Sequence, residues 1–141
     1  MNVRQISSKD QDQLSRLYHS LYSDEKNIKS KSIPFDNANL VNLLLVAELD
    51  KKLIGFIWGY FITLGIRRYG YVEDLFVEED YRNKGIATAL LVALKDKFIE
   101  LKVETVFVTT EKENENAINL YLREGFQSCP GPWFFWTPLS I

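Results

Sequence analysis

One cysteine, one histidine and one methionine occur in 141 residues. A single Cys cannot close an internal disulfide, and one Cys with one His cannot build a zinc site of the usual kind. Charge of one sign is not in excess either: 17 Lys and Arg stand against 19 Asp and Glu, a formal net charge of −2. That balance excludes the strong basic surplus of a nucleic-acid-binding module. Long hydrophobic runs are missing. The most apolar stretch, Leu53 to Ile66, falls short of the roughly 18 to 20 residues a membrane helix needs. Met1 to Leu14 has no apolar core for a signal peptide. The expectation is a soluble, metal-free chain of a reducing, cytoplasmic compartment. With no repeat, low-complexity tract or linker, residues 1–141 read as a single domain.

What is present is an ordinary globular composition, 46% hydrophobic and 26% charged, enough to bury a core without covalent staples. Val3 to Ile6 alternates as a short strand. Ser7 or Ser8 can cap a helix in which Leu14, Leu17 and Leu21 recur at helical spacing, with His19 off that stripe. Pro34 breaks the chain before Asp36, a second possible cap. Leu43 to Leu49 and the run from Leu53 flank Asp50-Lys51-Lys52, which reads as a hairpin. Tyr69 to Val77 is a further strand. From Gly85 to Leu101 the period becomes helical, with Ile86, Leu90, Ala93, Leu94, Phe98 and Leu101 on one face. Val103 to Thr109 alternates as a strand, and Asn116 to Glu124 is a short helix ended by Gly125. Phe126 and the aromatic stretch Trp133 to Trp136 predict late strands, interrupted by Pro130-Gly131-Pro132. This order implies an α+β or mixed-sheet α/β sandwich.

The segment that carries chemistry is Tyr71 to Leu91. A strand ends at Val77, a polar loop follows, and a helix starts near Gly85. First-turn helix amides have no internal partners, and the helix dipole draws anions to that end. Gly85 leaves room for a phosphate, Ala87 is the next smallest side chain, and Arg82 and Lys84 add positive charge. An ordinary strand-to-helix loop with a left-handed glycine is the alternative for Gly85 alone. A P-loop and a dinucleotide-binding GxGxxG run are both absent.

Arg82-Asn83-Lys84-Gly85-Ile86-Ala87 resembles the R/Q-x-x-G-x-G/A signature of the GNAT superfamily of acetyl-CoA-dependent N-acetyltransferases. Asn114 to Tyr121, continuing to Gly125-Phe126, resembles its second signature, and the two occur in the family's order. The resemblance implies a GNAT-like α/β (α+β) fold: a central mixed, mostly antiparallel twisted sheet of six to seven strands flanked by about four helices. It also implies acetyl-CoA as co-substrate. The pantetheine arm would pair with the fourth strand at Leu75, Phe76 and Val77. The pyrophosphate would lie on the amides of Asn83 to Thr88 (Asn83, Lys84, Gly85, Ile86, Ala87 and Thr88), with Arg82 alongside. Asn114 is similar to the Asn that borders the pantetheine, and Tyr121 to the Tyr placed beside the thioester sulfur.

The chemistry needs a base, because a primary amine with pKa near 10.4 is neutral in only about one molecule in 2,500 at pH 7. Glu73 is suited to the task, directly or through water, and a solvent-facing strand carboxylate is its ordinary alternative. Tyr121 is read as a hydrogen-bond donor to the leaving thiolate, since full proton transfer from a phenol to a thiolate is uphill by roughly 2 kcal/mol. Cys129, far in sequence from the only His, reads as structural. The strand around Glu73-Asp74 resembles that of diamine (spermidine/spermine) acetyltransferases, with Glu25 a further acidic substrate contact. The Arg82 to Leu90 run also resembles aminoglycoside 3-N-acetyltransferases. Both imply a small cationic amine acceptor. Acetylation of a protein Lys or N-terminal amine, and a non-catalytic acyl-CoA-binding regulator, are the alternatives. The resemblance and the aromatic C-terminal segment together suggest a homodimer.

Overall fold

The structure is a computed structural model and describes residues 1–21 and 39–138. One compact unit runs from Met1 to Thr109 and a second begins at Thr110.

The first unit holds β1 (Asn2–Gln5), α1 (Gln11–Leu21), β2 (Leu40–Leu49), β3 (Lys52–Leu64), β4 (Arg67–Val77), α2 (Ile86–Glu100) and β5 (Thr105–Val108). The strands lie in the order β1-β2-β3-β4-β5, antiparallel except for β4 with β5. The second unit holds α3 (Glu115–Arg123). The sheet class is as expected, but the described residues contain five strands and three α-helices, fewer than the six to seven and about four implied by the resemblance. The difference lies partly in the C-terminal segment. Phe126 and Trp133 to Trp136 are not in strands. The aromatic run favours a strand, but prolines at 130, 132 and 138 remove ladder donors from this stretch. The expected helix cap at Asp36 lies outside the described residues. No helix among the described residues is long and apolar enough to cross a membrane.

The β2–β3 hairpin turns on Asp50 and Lys51, both left-handed at φ 50° and 63°, the two-residue arrangement whose twist suits antiparallel strands. Ser7 caps a 3-10 turn (Ser8–Asp10) that leads into α1, and Asp10 closes the reciprocal box by accepting from the Ser7 amide at 2.8 Å and its hydroxyl at 3.0 Å. Leu14 and Leu17 of α1 then pack with Leu44, Val46, Leu53, Phe56 and Phe76 on one face of the sheet, with Trp58 and Tyr18 at the rim. His19 is exposed, as its position off the stripe predicted.

The opposite face takes α2, whose Ile86, Leu90, Leu91, Leu94 and Phe98 are buried. Close approach here depends on Gly59 of β3. A Cβ at that position would stand 2.8 Å from Leu94 Cδ2 and 3.1 Å from Phe98 Cζ. Both are side-chain tips, so the helix can yield slightly. Gly59→Ala is therefore expected to cost about 1–2 kcal/mol through overpacking, read as a lower urea midpoint with an unchanged slope. An unchanged midpoint would show that α2 has slack over the sheet.

Candidate active site

The site is built from a strand that loses one neighbour, a loop and a helix start. β3 and β4 pair regularly until Trp58↔Asp74, where the register jumps to Gly59↔Val72. Glu73 is the extra residue, so it occupies a bulge, a device that bends a strand and re-aims a side chain. It is exposed and makes no ion pair among the described residues. At the same place β5 leaves: its parallel pairing covers only Tyr69 to Val72 of β4. From Glu73 to Val77, including Leu75 and Phe76, β4 keeps β3 on one side. No strand among the described residues pairs with it on the other. A main chain open on one edge is a ready partner for an extended amide-bearing chain.

The strand then runs into the loop. Arg82 folds back, its Nε donating to the Val77 carbonyl at 2.8 Å and its guanidinium lying 5.6 Å from the centre of the Phe76 ring. This fixes the loop to the end of β4 and leaves the Nη groups as further donors. Asn83 is left-handed at φ 60°, a conformation that Asn tolerates better than most residues. Lys84 donates to the Asp80 carbonyl at 3.3 Å and lies over the Tyr81 ring. The preceding loop is tied down from the sheet, because Glu78 takes both Arg16 of α1 at 3.1 Å and Lys52 of β3 at 3.3 Å.

Gly85 caps α2 at φ 79°, and a Cβ built on it meets nothing within 4 Å. The space beyond the helix end is open. Gly85 offers no side chain to the first-turn amides, and that turn holds no acidic residue. The other helices differ: α1 has Asp12 in its first turn, and α3 has Glu115 plus a side-chain cap. Among the described helices only α2 presents its positive end, at Ile86, Ala87 and Thr88, without a carboxylate of its own, beside two cations. A diphosphate fits that chemistry.

In the second unit Asn114 is the cap of α3, its Oδ1 accepting from the Ala117 amide at 3.1 Å. The sequence reading gave it a ligand role and missed this structural one. Tyr121 lies seven residues later, about two turns along, half-buried and edge-on to Phe126 at 5.6 Å. Cys129 is exposed, so it is not a core residue. Glu25 lies outside the described residues. No group of three or more His, Cys, Asp or Glu suited to a metal occurs among the described residues.

The model of the acetyltransferase (GNAT) family matches residues 11–126. An uncharacterized N-acetyltransferase of Bacillus subtilis (strain 168), YhfO, is 30% identical over 139 residues, 93% of each chain. Among solved structures, AAC(6')-Iy in complex with the bisubstrate analog CoA-S-monomethyl-acetylneamine superposes with a TM-score of 0.76 at 17% identity, over 97% of each chain. An aminoglycoside acetyltransferase from an uncultured soil metagenomic sample, in complex with sisomicin, gives 0.75 at 22% identity, over 99% of this chain and 96% of that one. At these identities the two structures speak to the fold, and the family match carries the assignment. Because that match reaches from the start of α1 past the end of α3, the chain belongs to the GNAT family of N-acetyltransferases, enzymes that take their acetyl group from acetyl-CoA.

Proposed function

We propose that this protein transfers the acetyl group of acetyl-CoA directly to the primary amine of a small cationic acceptor, and that residues 1–141 act as one catalytic domain. The observation that carries this reading is the continuous path of β4 past the Glu73 bulge into the start of α2, where no side chain caps the first-turn amides. Leu75, Phe76 and Val77 offer main-chain groups to the pantetheine arm. Arg82, Asn83, Lys84, Gly85, Ile86, Ala87 and Thr88 hold the pyrophosphate, and Asn114 borders the arm. Acetyl-CoA supplies an activated thioester carbonyl. Glu73 accepts, through water, the proton that the ammonium must lose for its nitrogen to attack as the amine, and Asp74 shares in drawing the cation to this end of the strand. Tyr121 donates a hydrogen bond to the departing thiolate.

Polyamines and aminoglycosides are the acceptor classes that the motif resemblance favours. The test is thiol release from acetyl-CoA across polyamines, aminoglycosides, amino acids and Lys-containing peptides. Release with a small cationic amine supports the reading. Release only with peptides would transfer the activity to a protein substrate, and tight acetyl-CoA binding with no release would leave a regulator.

Two variants test the roles. Tyr121→Phe is expected to lower kcat at least about tenfold with the acetyl-CoA KM unchanged. An equal loss in both would assign Tyr121 to packing against Phe126. Replacing Glu73 and Asp74 by their amides is expected to weaken polyamine turnover far more than acetyl-CoA binding, and unaltered polyamine kinetics would remove the acidic acceptor site. The homodimer rests on Trp133, Phe134, Phe135 and Trp136, which are 63–94% exposed. A second copy of the chain is the partner we assign to them. A monomer by light scattering at micromolar concentration would refute it.

A further inference from the structure

Two side chains of α1 meet the strand end from which the loop to α2 departs. The register of β2 against β3 shifts between Ala47 and Glu48, and Ile54 is the extra residue of β3. Its carbonyl accepts from the Glu78 amide at 2.8 Å, one step past the pairing of Gly55 with Val77. Leu53, next to it, is held by α1 at both of its main-chain groups. Gln13 Oε1 accepts from the Leu53 amide at 2.8 Å, and Arg16 Nη2 donates to the Leu53 carbonyl at 2.9 Å. Gln13 and Arg16 are three residues apart and therefore share a helix face.

Arg16 has a second contact. Its Nη1 donates to Glu78 Oε1 at 3.1 Å, the oxygen that also takes Lys52 Nζ at 3.3 Å. Lys52 in turn lies 5.4 Å from the centre of the Tyr81 ring, and Lys84 lies 5.6 Å from the same ring. Tyr81 ends the 3-10 turn Glu79–Tyr81, its amide donating to the Glu78 carbonyl at 2.9 Å. One carboxylate and one ring thus join α1, the β2–β3 hairpin and both ends of that turn. Arg82 is the next residue, and Gly85 follows three later.

These ion pairs are ill suited to stabilising the fold. The side chains of Arg16, Glu78 and Lys52 are 41%, 25% and 46% exposed, and pairs so open to water contribute little. Nor do they form an anion trap. Glu78 sets a negative charge on the loop that leads to the helix start, which works against a diphosphate. What the arrangement supplies is geometry. An Arg fork carries its donors in a fixed plane, and here it is divided between a carbonyl of the sheet and the carboxylate at the loop's first residue. The origin of the loop is thereby set against a strand.

We propose that Arg16 is a positioning residue for acetyl-CoA. Acting through Glu78, it fixes the loop of residues 78–85 so that Arg82 and the first-turn amides of α2 meet the diphosphate together. This rests on the reading of the α2 start as the diphosphate site and adds the element that holds it in place. α1 packs on the opposite face of the sheet from α2, and it bears on the cofactor from there.

The first variant is Arg16→Lys, which keeps the charge and loses the fork. Calorimetric titration of the full chain with CoA should give a Kd about fivefold higher, the effect of one hydrogen bond. Turnover should show a raised KM for acetyl-CoA with kcat unchanged, and the melting temperature should stay within about 3 °C. Glu78→Gln tests the sign. Removal of a negative charge favours an anion, so a purely electrostatic role would tighten CoA binding, whereas lost positioning weakens it. Weakening is expected. Because Arg16 acts through Glu78, the double variant should bind CoA no more weakly than the weaker of the two single variants.

An unchanged CoA Kd in Arg16→Lys, tighter binding by Glu78→Gln, or losses that multiply in the double variant would each overturn the proposal. A parallel fall in kcat, CoA affinity and melting temperature would do the same, because it marks Arg16 as purely structural. Gly85→Asn separates this from a failure of the underlying reading. Normal CoA binding by Gly85→Asn removes the diphosphate site and this proposal together. Weak binding by Gly85→Asn beside normal binding by Arg16→Lys leaves the site and removes the positioning role alone.

Discussion

Gly85→Val is expected to raise the KM for acetyl-CoA about a hundredfold, the effect of losing a charge-assisted hydrogen bond or two at roughly 1.5–3 kcal/mol each. Gly85 sits at φ 79°, where a β-branched residue is strained whatever space surrounds it. Its side chain would also enter the open volume beyond the helix end, where the proposed site brings the diphosphate close to the amides of Ile86 and Ala87. Strain and obstruction are separable. Gly85→Asn tolerates the left-handed backbone and could cap α2 itself, as Asn114 caps α3. The melting temperature of Gly85→Asn should therefore match or exceed that of the parent, while its acetyl-CoA affinity falls nearly as far as that of the valine variant. Calorimetric titration with CoA reads the affinity. If Gly85→Asn binds CoA normally, the helix start is not the phosphate cradle, and the loop is only a turn.

Asp10→Asn is expected to destabilise the fold by roughly 3 kcal/mol, the order of cost for breaking a buried ion pair, or about 10 °C in melting temperature. Asp10 is the one buried charged residue among those described, 4% exposed. The Arg4 guanidinium grips it with both Nη nitrogens, at 2.7 and 2.8 Å, and Nη2 reaches Glu48 as well at 2.5 Å. The same carboxylate holds the Ser7 amide and hydroxyl. One side chain thus joins β1, the turn into α1 and, through Arg4, the end of β2. An amide cannot receive the guanidinium fork as a charge and leaves Arg4 with Glu48 alone.

The pH dependence has a definite sign. Arg4 first, and the Ser7 hydrogen bonds with it, hold the Asp10 carboxyl well below the usual carboxylate range, although burial opposes them. A depressed folded pKa gives stability that is complete above the unfolded value, near 3.9. That stability is lost as pH falls from there toward the folded value. The gap in melting temperature between parent and Asp10→Asn should hold from pH 7 to about pH 5 and narrow toward pH 2. A gap that does not change over this range would mean that the charge of Asp10 contributes nothing, leaving only its shape.

Much of the positioning machinery was legible in the sequence because it is local. The helical period from Ile86 to Phe98 and the glycine before it gave α2 and its start to within a residue. Asp50-Lys51 between two apolar runs gave the hairpin, although nothing in the residues announced that both would be left-handed. Ser7 was readable as a cap, but its partner Asp10 and the 3-10 turn between them were not expected. The reading failed at Trp133 to Trp136, where the apolar pattern was right for a strand but the prolines around it were given too little weight. Asn114 was visible as part of a motif, but its place as the cap of α3 was not expected, because the helix was read as starting at Asn116.

What the sequence determined by itself was the succession of elements, the balanced charge and the glycine-led start of α2 beside Arg82 and Lys84, because each depends on residues a few positions apart. Tertiary structure alone decided the bulge at Glu73, the departure of β5 after Val72 and the stacked row of Tyr60, Tyr71 and Phe107. These depend on which residues of distant segments stand opposite one another. A strand's own alternation says which side chains share a face, but the register between strands is set by packing along the whole sheet. Residues 60, 71 and 107 share no local pattern, and only the pairing of three strands makes them neighbours.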